Sequence, residues 1–192
     1  MLFVRAAQLD DADDLAAAHI EGWRVGYRGL FADDYLDSHE FARERLERWR
    51  AWTWNALGSS TLYVAELDGR VVGFAHIGPE REQPECDQSG GPAVPALAAA
   101  LRGEVYGFYL HPDAWGSGCA AALMDQATSQ LIEDGYDSAV LWVLRDNPRA
   151  RRFYERAGWA ATGRSLLWPG PQTAAPPPEP VAEVEYATML AR

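Results

Sequence analysis

Between Gly103 and Leu144 the chain spells strand, turn, helix, strand, and no other stretch limits its fold as much. "GEVYGFYLHP" is a β-rich run that Pro112 brings to an end. "WGSG" follows. "CAAALMDQATSQLIEDGY" then puts Ala120, Leu123, Met124, Ala127 and Leu131 on one helical stripe. "SAVLWVL" is almost wholly apolar, as expected of a strand covered on both faces. A β-α-β crossover of this kind sets two strands parallel in one sheet. The chain around it is expected to be a mixed α/β domain.

The flanking segments fit that expectation. "LFVRA" reads as a first strand. "LDDADDLAAAHIEGWRVGY" reads as a helix capped by Asp10 or Asp11, with Leu15, Ala18, His19, Gly22 and Trp23 near one face. The next helical region, through residue 57, breaks near Asp37 and restarts at a Ser38 cap. Phe41, Leu46, Trp49 and Trp52 supply most of its apolar side. "STLYVAELDGRVVGFAHIG" is two strands joined by an Asp68-Gly69 hairpin turn. Residues 79–103 are rich in Pro, Gly and charge, and read as an inserted loop. In "NPRARRFYERAGW" Asn147 caps a short helix, Pro148 takes its first position and Gly158 closes it. "AATGRSLLW" is a strand. Residues 169–180 are a proline-rich loop, and "VAEVEYATML" is a last strand. The order is β-α-α-β-β-(insert)-β-α-β-α-β-β, one domain over residues 1–192.

Composition excludes several function classes. No apolar run approaches the ~20 residues of a membrane helix, and the N-terminus lacks the basic and apolar regions of a signal peptide. The cysteines, Cys86 and Cys119, form no CxxC pair, which points to a reducing cytoplasm and to no metal site. A net charge of −11 repels nucleic acid and anionic membrane. Every one of the 17 basic residues is arginine. Between Arg145 and Arg156 lie Arg145, Arg149, Arg151, Arg152 and Arg156 against Asp146 and Glu155. That is 5 − 2 = +3, a patch suited to a phosphate-bearing ligand.

The glycine turn admits three readings. The GxxxxGK[ST] phosphate loop is excluded because lysine is absent. Gly116, Gly118 and Ala121 formally fit the dinucleotide fingerprint. In that fold, however, the strand runs straight into the first glycine, whereas residues 111–115 intervene here. The third reading is an anion site in which Gly116, Ser117, Gly118, Cys119 and Ala120 offer backbone N–H groups at the positive end of a helix.

"FYLHPDAWGSGCAAAL" followed by "LWVLRDNPRARRFYERAGW" resembles the GNAT superfamily of N-acetyltransferases. Gly118 and Ala120 match the last fixed positions of its Q/R-x-x-G-x-G/A motif, and Trp115 stands where Gln or Arg is usual. Asn147, Phe153-Tyr154 and Gly158-Trp159 resemble its second signature, and "GWRVGYRGLFADDYL" its first-helix region. The resemblance implies a mixed, mostly antiparallel sheet with a splayed parallel pair and helices on both faces. It implies acetyl-CoA as cosubstrate, with no metal. The pantetheine arm would pair with Tyr109 and Leu110, and a Leu110 N–H would face the thioester oxygen. The phosphates would lie on residues 115–120, near Asn147 and Arg152. Dimers are common in that family, so a homodimer is open.

The implied reaction is attack of a neutral amine on the thioester. Tyr154 matches the family's proton donor to the leaving thiolate. Glu104 is the candidate base, because plain alternation puts it on the same strand face as Leu110. His76 and His111 are its rivals. Cys119 as a nucleophile gives way to a small loop side chain. The alternative to an enzyme is a domain that binds acyl-CoA without turnover.

Overall fold

The computed structural model describes residues 1–51, 58–82, 101–168 and 180–191. Seven strands form one sheet: β1 (Leu2–Ala6), β2 (Thr61–Leu67), β3 (Arg70–Pro79), β4 (Arg102–Leu110), β5 (Ser138–Leu144), β6 (Ala160–Trp168) and β7 (Val181–Met189). Five helices accompany them: α1 (Ala12–Gly26), α2 (Asp33–Leu36), α3 (His39–Arg50), α4 (Cys119–Glu133) and α5 (Pro148–Arg156). The strand order is β1-β2-β3-β4-β5-β7-β6. Every neighbouring pair is antiparallel except β4 and β5.

Local chemistry explains most of the boundaries. Asp68 and Gly69 both take positive φ, 53° and 83°, the primed geometry whose twist matches a hairpin. Ser38 Oγ accepts from the Phe41 N–H at 3.1 Å and starts α3. Asn147 Oδ1 accepts from the Ala150 N–H at 3.1 Å, and Gly158 closes α5 at φ 87°. Asp11 precedes α1 but does not cap it through its side chain. Its carboxylate accepts instead from the Gln8 N–H at 2.7 Å and from Arg5 at 2.8 and 2.9 Å. The expected insert is narrower than 79–103: β3 runs through Pro79, β4 starts at Arg102, and residues 83–100 lie outside the described residues. Trp52 and most of the proline-rich loop lie outside them too.

Helices cover both faces. On one, α4 buries Cys119, Leu123, Met124, Ala127 and Leu131 against a core that includes Ala75, Ile77, Val105, Leu110, Leu141 and Tyr186. Cys119 is therefore the buried first residue of a helix, not a loop side chain. On the other face, α1 and α3 pack Leu15, Trp23 and Phe41 over Val64, Phe74 and Leu144.

The parallel pair is the feature that positions the site. β4 and β5 are in register only from Arg102↔Ser138 to Val105↔Leu141. Beyond that, β4 stays paired with β3 and β5 stays paired with β7, so a gap opens between them.

Candidate active site

A cavity of 730 Å³ occupies that gap. Its walls come from β4 (Glu104 to Leu110), β5 (Leu141 to Leu144), the glycine loop, α1, α5, and the ends of β6 and β7.

One end of the cavity is closed by the glycine loop and the N-terminus of α4. Gly116 and Gly118 have φ of 81° and 91°, which side chains rarely adopt, and a Cβ on either would meet nothing within 4 Å. The loop is thus shaped by backbone conformation and is open on its outer side. Two of its five amides are already engaged: Ser117 N–H donates to Ala114 O at 3.3 Å and Cys119 N–H to Ser117 Oγ at 3.3 Å. Helical geometry leaves the Ala120 and Ala121 N–H groups without an intrahelical acceptor, and both residues line the cavity. No acidic side chain sits in the first turn of α4 to compete.

Trp115 donates its indole N–H to Leu110 O at 3.2 Å and carries the Arg149 guanidinium 3.0 Å from its ring centroid. Burial lowers the Arg149 pKa, but it remains a cation. A cation thus stands beside the loop even though residue 115 is not itself basic. Arg156 also lines the cavity; Arg152, expected to, is exposed and does not. Arg149→Ala is expected to weaken CoA binding about tenfold, ~1.4 kcal/mol, in calorimetric titration. The thermal midpoint of the unliganded protein should hardly move.

The β4 backbone settles which groups face the gap. His111 N–H donates to Val72 O at 2.7 Å, towards β3. Strand alternation then turns the backbone groups of Leu110 and Phe108 towards β5, and those of Tyr109 back to β3. Leu110 keeps its expected place as a donor into the gap. Tyr109 does not, and Phe108 takes its role. Tyr109 contributes its side chain, whose hydroxyl lies 3.4 Å from that of Tyr27.

A β-bulge overturns the expected face of Glu104. Val105 pairs with Ile77 and Gly107 with His76, leaving Tyr106 as the extra residue. Glu104 therefore shares a face with Tyr109, and Leu110 with Val105. Gly107, inside β4 and next to Tyr106, is the one local sign of the bulge in the sequence. Glu104 is 1 % exposed, and its carboxylate accepts from Arg81, at 2.9 Å from the backbone N–H and 3.2 Å from Nε. The rival histidines are elsewhere. His76 meets Ser60 Oγ at 2.7 Å, and burial drives its pKa down to about 4. His111 Nδ1 accepts from the Asp113 N–H at 3.3 Å. Neither lines the cavity.

Tyr154, on α5, lines the cavity and is 7 % exposed. It is packed among the Phe108, Phe153, Trp159 and Tyr186 rings. Its hydroxyl has no hydrogen bond among the described residues, and burial, with Tyr109 adding, pushes its pKa well up. Asn147 lines the cavity while capping α5.

One residue escaped the sequence reading. Glu183, on β7, lines the same cavity. Burial pushes its pKa up to about 7, with Arg81 opposing and Glu104 adding. Its "AEVEY" context is the ordinary alternation of a strand, so the sequence offers no signal. Among the described residues, no cluster of metal-ligating side chains is present, and no helix is long and apolar enough to cross a membrane.

Comparison with known proteins agrees with this geometry. The family model described as "Acetyltransferase (GNAT) family" matches residues 27–159. YuaI of Bacillus subtilis, an uncharacterized N-acetyltransferase, is 30% identical over 149 residues, 77% of this chain and 75% of its own length. An uncharacterized N-acetyltransferase of Archaeoglobus fulgidus is 32% identical over 152 residues, 79% of this chain and 88% of its own. PaiA N-acetyltransferase from Thermoplasma acidophilum, solved in complex with coenzyme A, superposes with a TM-score of 0.67 at 15% identity, over 98% of this chain and 99% of that one.

Proposed function

The chain belongs to the acetyltransferase (GNAT) family and is an acetyl-CoA-dependent N-acetyltransferase, and on that premise we propose that it transfers the acetyl group directly to a primary amine with Tyr154 as the acid. The observation that carries the proposal is the cavity between β4 and β5. It joins the N-terminus of α4, the strand edges left where β4 and β5 part, and a tyrosine whose hydroxyl has no hydrogen bond among the described residues, all in one space.

The residues fit the cosubstrate in four ways. The N–H groups of Gly116, Gly118, Ala120 and Ala121 and the Arg149 guanidinium would hold its phosphates. The Leu110 and Phe108 edge of β4 would pair with the pantetheine amides as an added strand. The Leu110 N–H would donate to the thioester oxygen as negative charge grows there. Tyr154 keeps its proton at neutral pH, as an acid for the departing thiolate must.

The acceptor end is aromatic and acidic. Trp23, Tyr27, Tyr109, Trp142 and Trp168 line it together with Glu183. Electron-rich ring faces and a carboxylate attract an ammonium group, so the favoured acceptor is a cationic amine, small molecule or peptide. Two measurements test the reading. In thermal shift, CoA at about one hundred times its dissociation constant should stabilise the fold by roughly 2.7 kcal/mol, and NADH should not. In a screen of acetyl-CoA consumption, cationic amines should be acetylated; a protein that binds CoA and acetylates nothing is a binding module instead.

A further inference from the structure

Acetyl transfer to an amine requires a proton to leave the acceptor before attack. A primary alkylammonium, with a pKa near the lysine value of about 10.4, is neutral in only about one molecule in 10³ at pH 7. A group in the cavity that collects that proton spares the enzyme the wait for this rare neutral form.

The carboxylates near the cavity are not equivalent. Glu104 is locked to Arg81 by three hydrogen bonds. Glu185 is 1 % exposed, faces Arg102 and Arg164, and does not line the cavity. Glu82 lies exposed at the rim. Glu183 is half-buried, lines the cavity and takes part in no ion pair among the described residues.

Register explains how Glu183 reaches the acceptor side. Glu183 stands opposite Leu144 of β5 on one side and Leu166 of β6 on the other. Leu144 packs with Trp23 and Phe41, so all three strands present these residues to the α1 face. That is the face of Tyr109, across the gap from Tyr154 and its helix. The side facing α1 therefore carries the Glu183 carboxylate, and the side facing α5 carries the Tyr154 hydroxyl.

We propose that Glu183, rather than Glu104, takes the proton from the acceptor ammonium, with the Arg81–Glu104 pair as its electrostatic setting. The proposal rests on the amine-acetylating reading above. In the first step R–NH3⁺ gives one proton to the Glu183 carboxylate and becomes R–NH2. The nitrogen lone pair then forms the C–N bond, and the carbonyl π electrons move to oxygen. As the carbonyl re-forms, the C–S bond breaks and its electron pair leaves on sulfur. The thiolate takes the Tyr154 proton, and the nitrogen's surplus proton restores the tyrosine. Glu183 returns its proton to solvent. The sum is R–NH3⁺ + acetyl-S-CoA → R–NH–acetyl + CoA–SH + H⁺.

The surroundings agree with a base that works near neutrality. Tyr27 from α1 and Tyr109 from β4 face Glu183 and stay neutral, since burial holds both hydroxyls up. Leu144 and Leu166 flank it from β5 and β6. Arg81, which follows β3, lowers the Glu183 pKa, Glu104 raises it, and burial outweighs both, bringing it to about 7. A carboxylate in that range is half ionised at neutral pH and a stronger base than an ordinary one.

Three variants and one spectroscopic titration decide the matter. For wild type, kcat/KM should rise with pH through an acidic limb near 7. Glu183→Gln should abolish that limb and cut kcat/KM about 10²-fold at pH 7, with recovery as pH approaches the pKa of the amine. Glu183→Asp should keep the limb at a lower rate. Glu104→Gln should keep the limb and move it to lower pH, because a raising charge is gone and Arg81 is released. CoA affinity should be unchanged in both Glu183 variants. In ¹³C-carboxyl NMR of the unliganded protein, one glutamate should titrate near 7 and vanish in Glu183→Gln. A limb that survives Glu183→Gln, or a Glu183 carboxyl that titrates in the ordinary range, overturns the proposal. If CoA binds and no amine is acetylated, it is the amine-acetylating reading that fails, and the carboxyl titration still decides whether Glu183 is the cavity's protonatable group.

Discussion

Tyr154→Phe is expected to lower the maximal rate about 10²–10⁴-fold while the fold and CoA affinity barely change. The separation is clean because of what the hydroxyl touches. Tyr154 meets Phe108, Phe153, Trp159 and Tyr186 through its ring, which phenylalanine preserves. The hydroxyl has no hydrogen-bond partner among the described residues, so its removal orphans nothing there. Nor does it contribute to the loop that would hold phosphate. The raised pKa also predicts the shape of the pH profile. A phenol held above its ordinary value of 10 stays protonated throughout the working range, so loss of the acid should produce no alkaline fall near neutrality. Steady-state kinetics beside calorimetric CoA titration check both points. Equal rates for a folded Tyr154→Phe protein would make Tyr154 a packing residue and leave thiolate protonation to water.

The fold was legible in the sequence because it rests on local signals. The hairpin shows as Asp68-Gly69, the restart of α3 as Ser38, and α5 as Asn147-Pro148 with Gly158. In each case one residue's own conformational preference or capping bond decides the boundary. The covered strand shows as "SAVLWVL", since Ala139, Leu141 and Val143 of β5 pack in the core under α4 while Leu144 packs against Trp23 and Phe41 on the other face. The half of the cavity proposed to hold the cofactor shares this property: the glycines answer to φ, and the free amides follow from where a helix begins. The acceptor half does not. The position of Glu104 depends on a bulge at Tyr106; Gly107 beside it hints at a bulge, but the pairing with β3 decides which residue is extra and so which face Glu104 takes. The place of Glu183 depends on β7 inserting between β5 and β6, a pairing of strands about 40 residues apart in sequence that no local pattern marks. The Trp115–Arg149 contact is likewise long-range. A tryptophan in the usual place of Gln or Arg looks like a lost contact until α5 brings Arg149 over its ring.

Gly118→Asp is expected to remove measurable CoA binding and leave a folded protein. The two halves of that statement have different physical sources. In the free protein the substitution carries a backbone cost, because φ at residue 118 is 91°; for an aspartate this is about 1–2 kcal/mol. No atom other than those of the neighbouring residues lies within 4 Å of the added Cβ, so the side chain starts into open space. A carboxylate at the N-cap of α4 regains ~0.5–1 kcal/mol from the helix dipole and the first-turn amides. The net change is small against a stability of about 5–15 kcal/mol. In the complex the same carboxylate would stand where the proposed site holds a phosphate, and would repel it. Two unit charges 4 Å apart at an effective dielectric near 20 interact by ~4 kcal/mol, which corresponds to about a thousandfold in affinity. Gly118→Ala separates the contributions, since it keeps the backbone cost and adds a methyl without charge; it should lose affinity by about tenfold. The charge-specific part should shrink as salt is raised, because the loop is open to solvent. Calorimetric titration of CoA at two ionic strengths, with thermal unfolding of each variant, measures every quantity named. A CoA dissociation constant for Gly118→Asp within threefold of wild type would show that the phosphates do not lie on this loop. The anion site would then have to be sought at Arg156 and the outer end of α5.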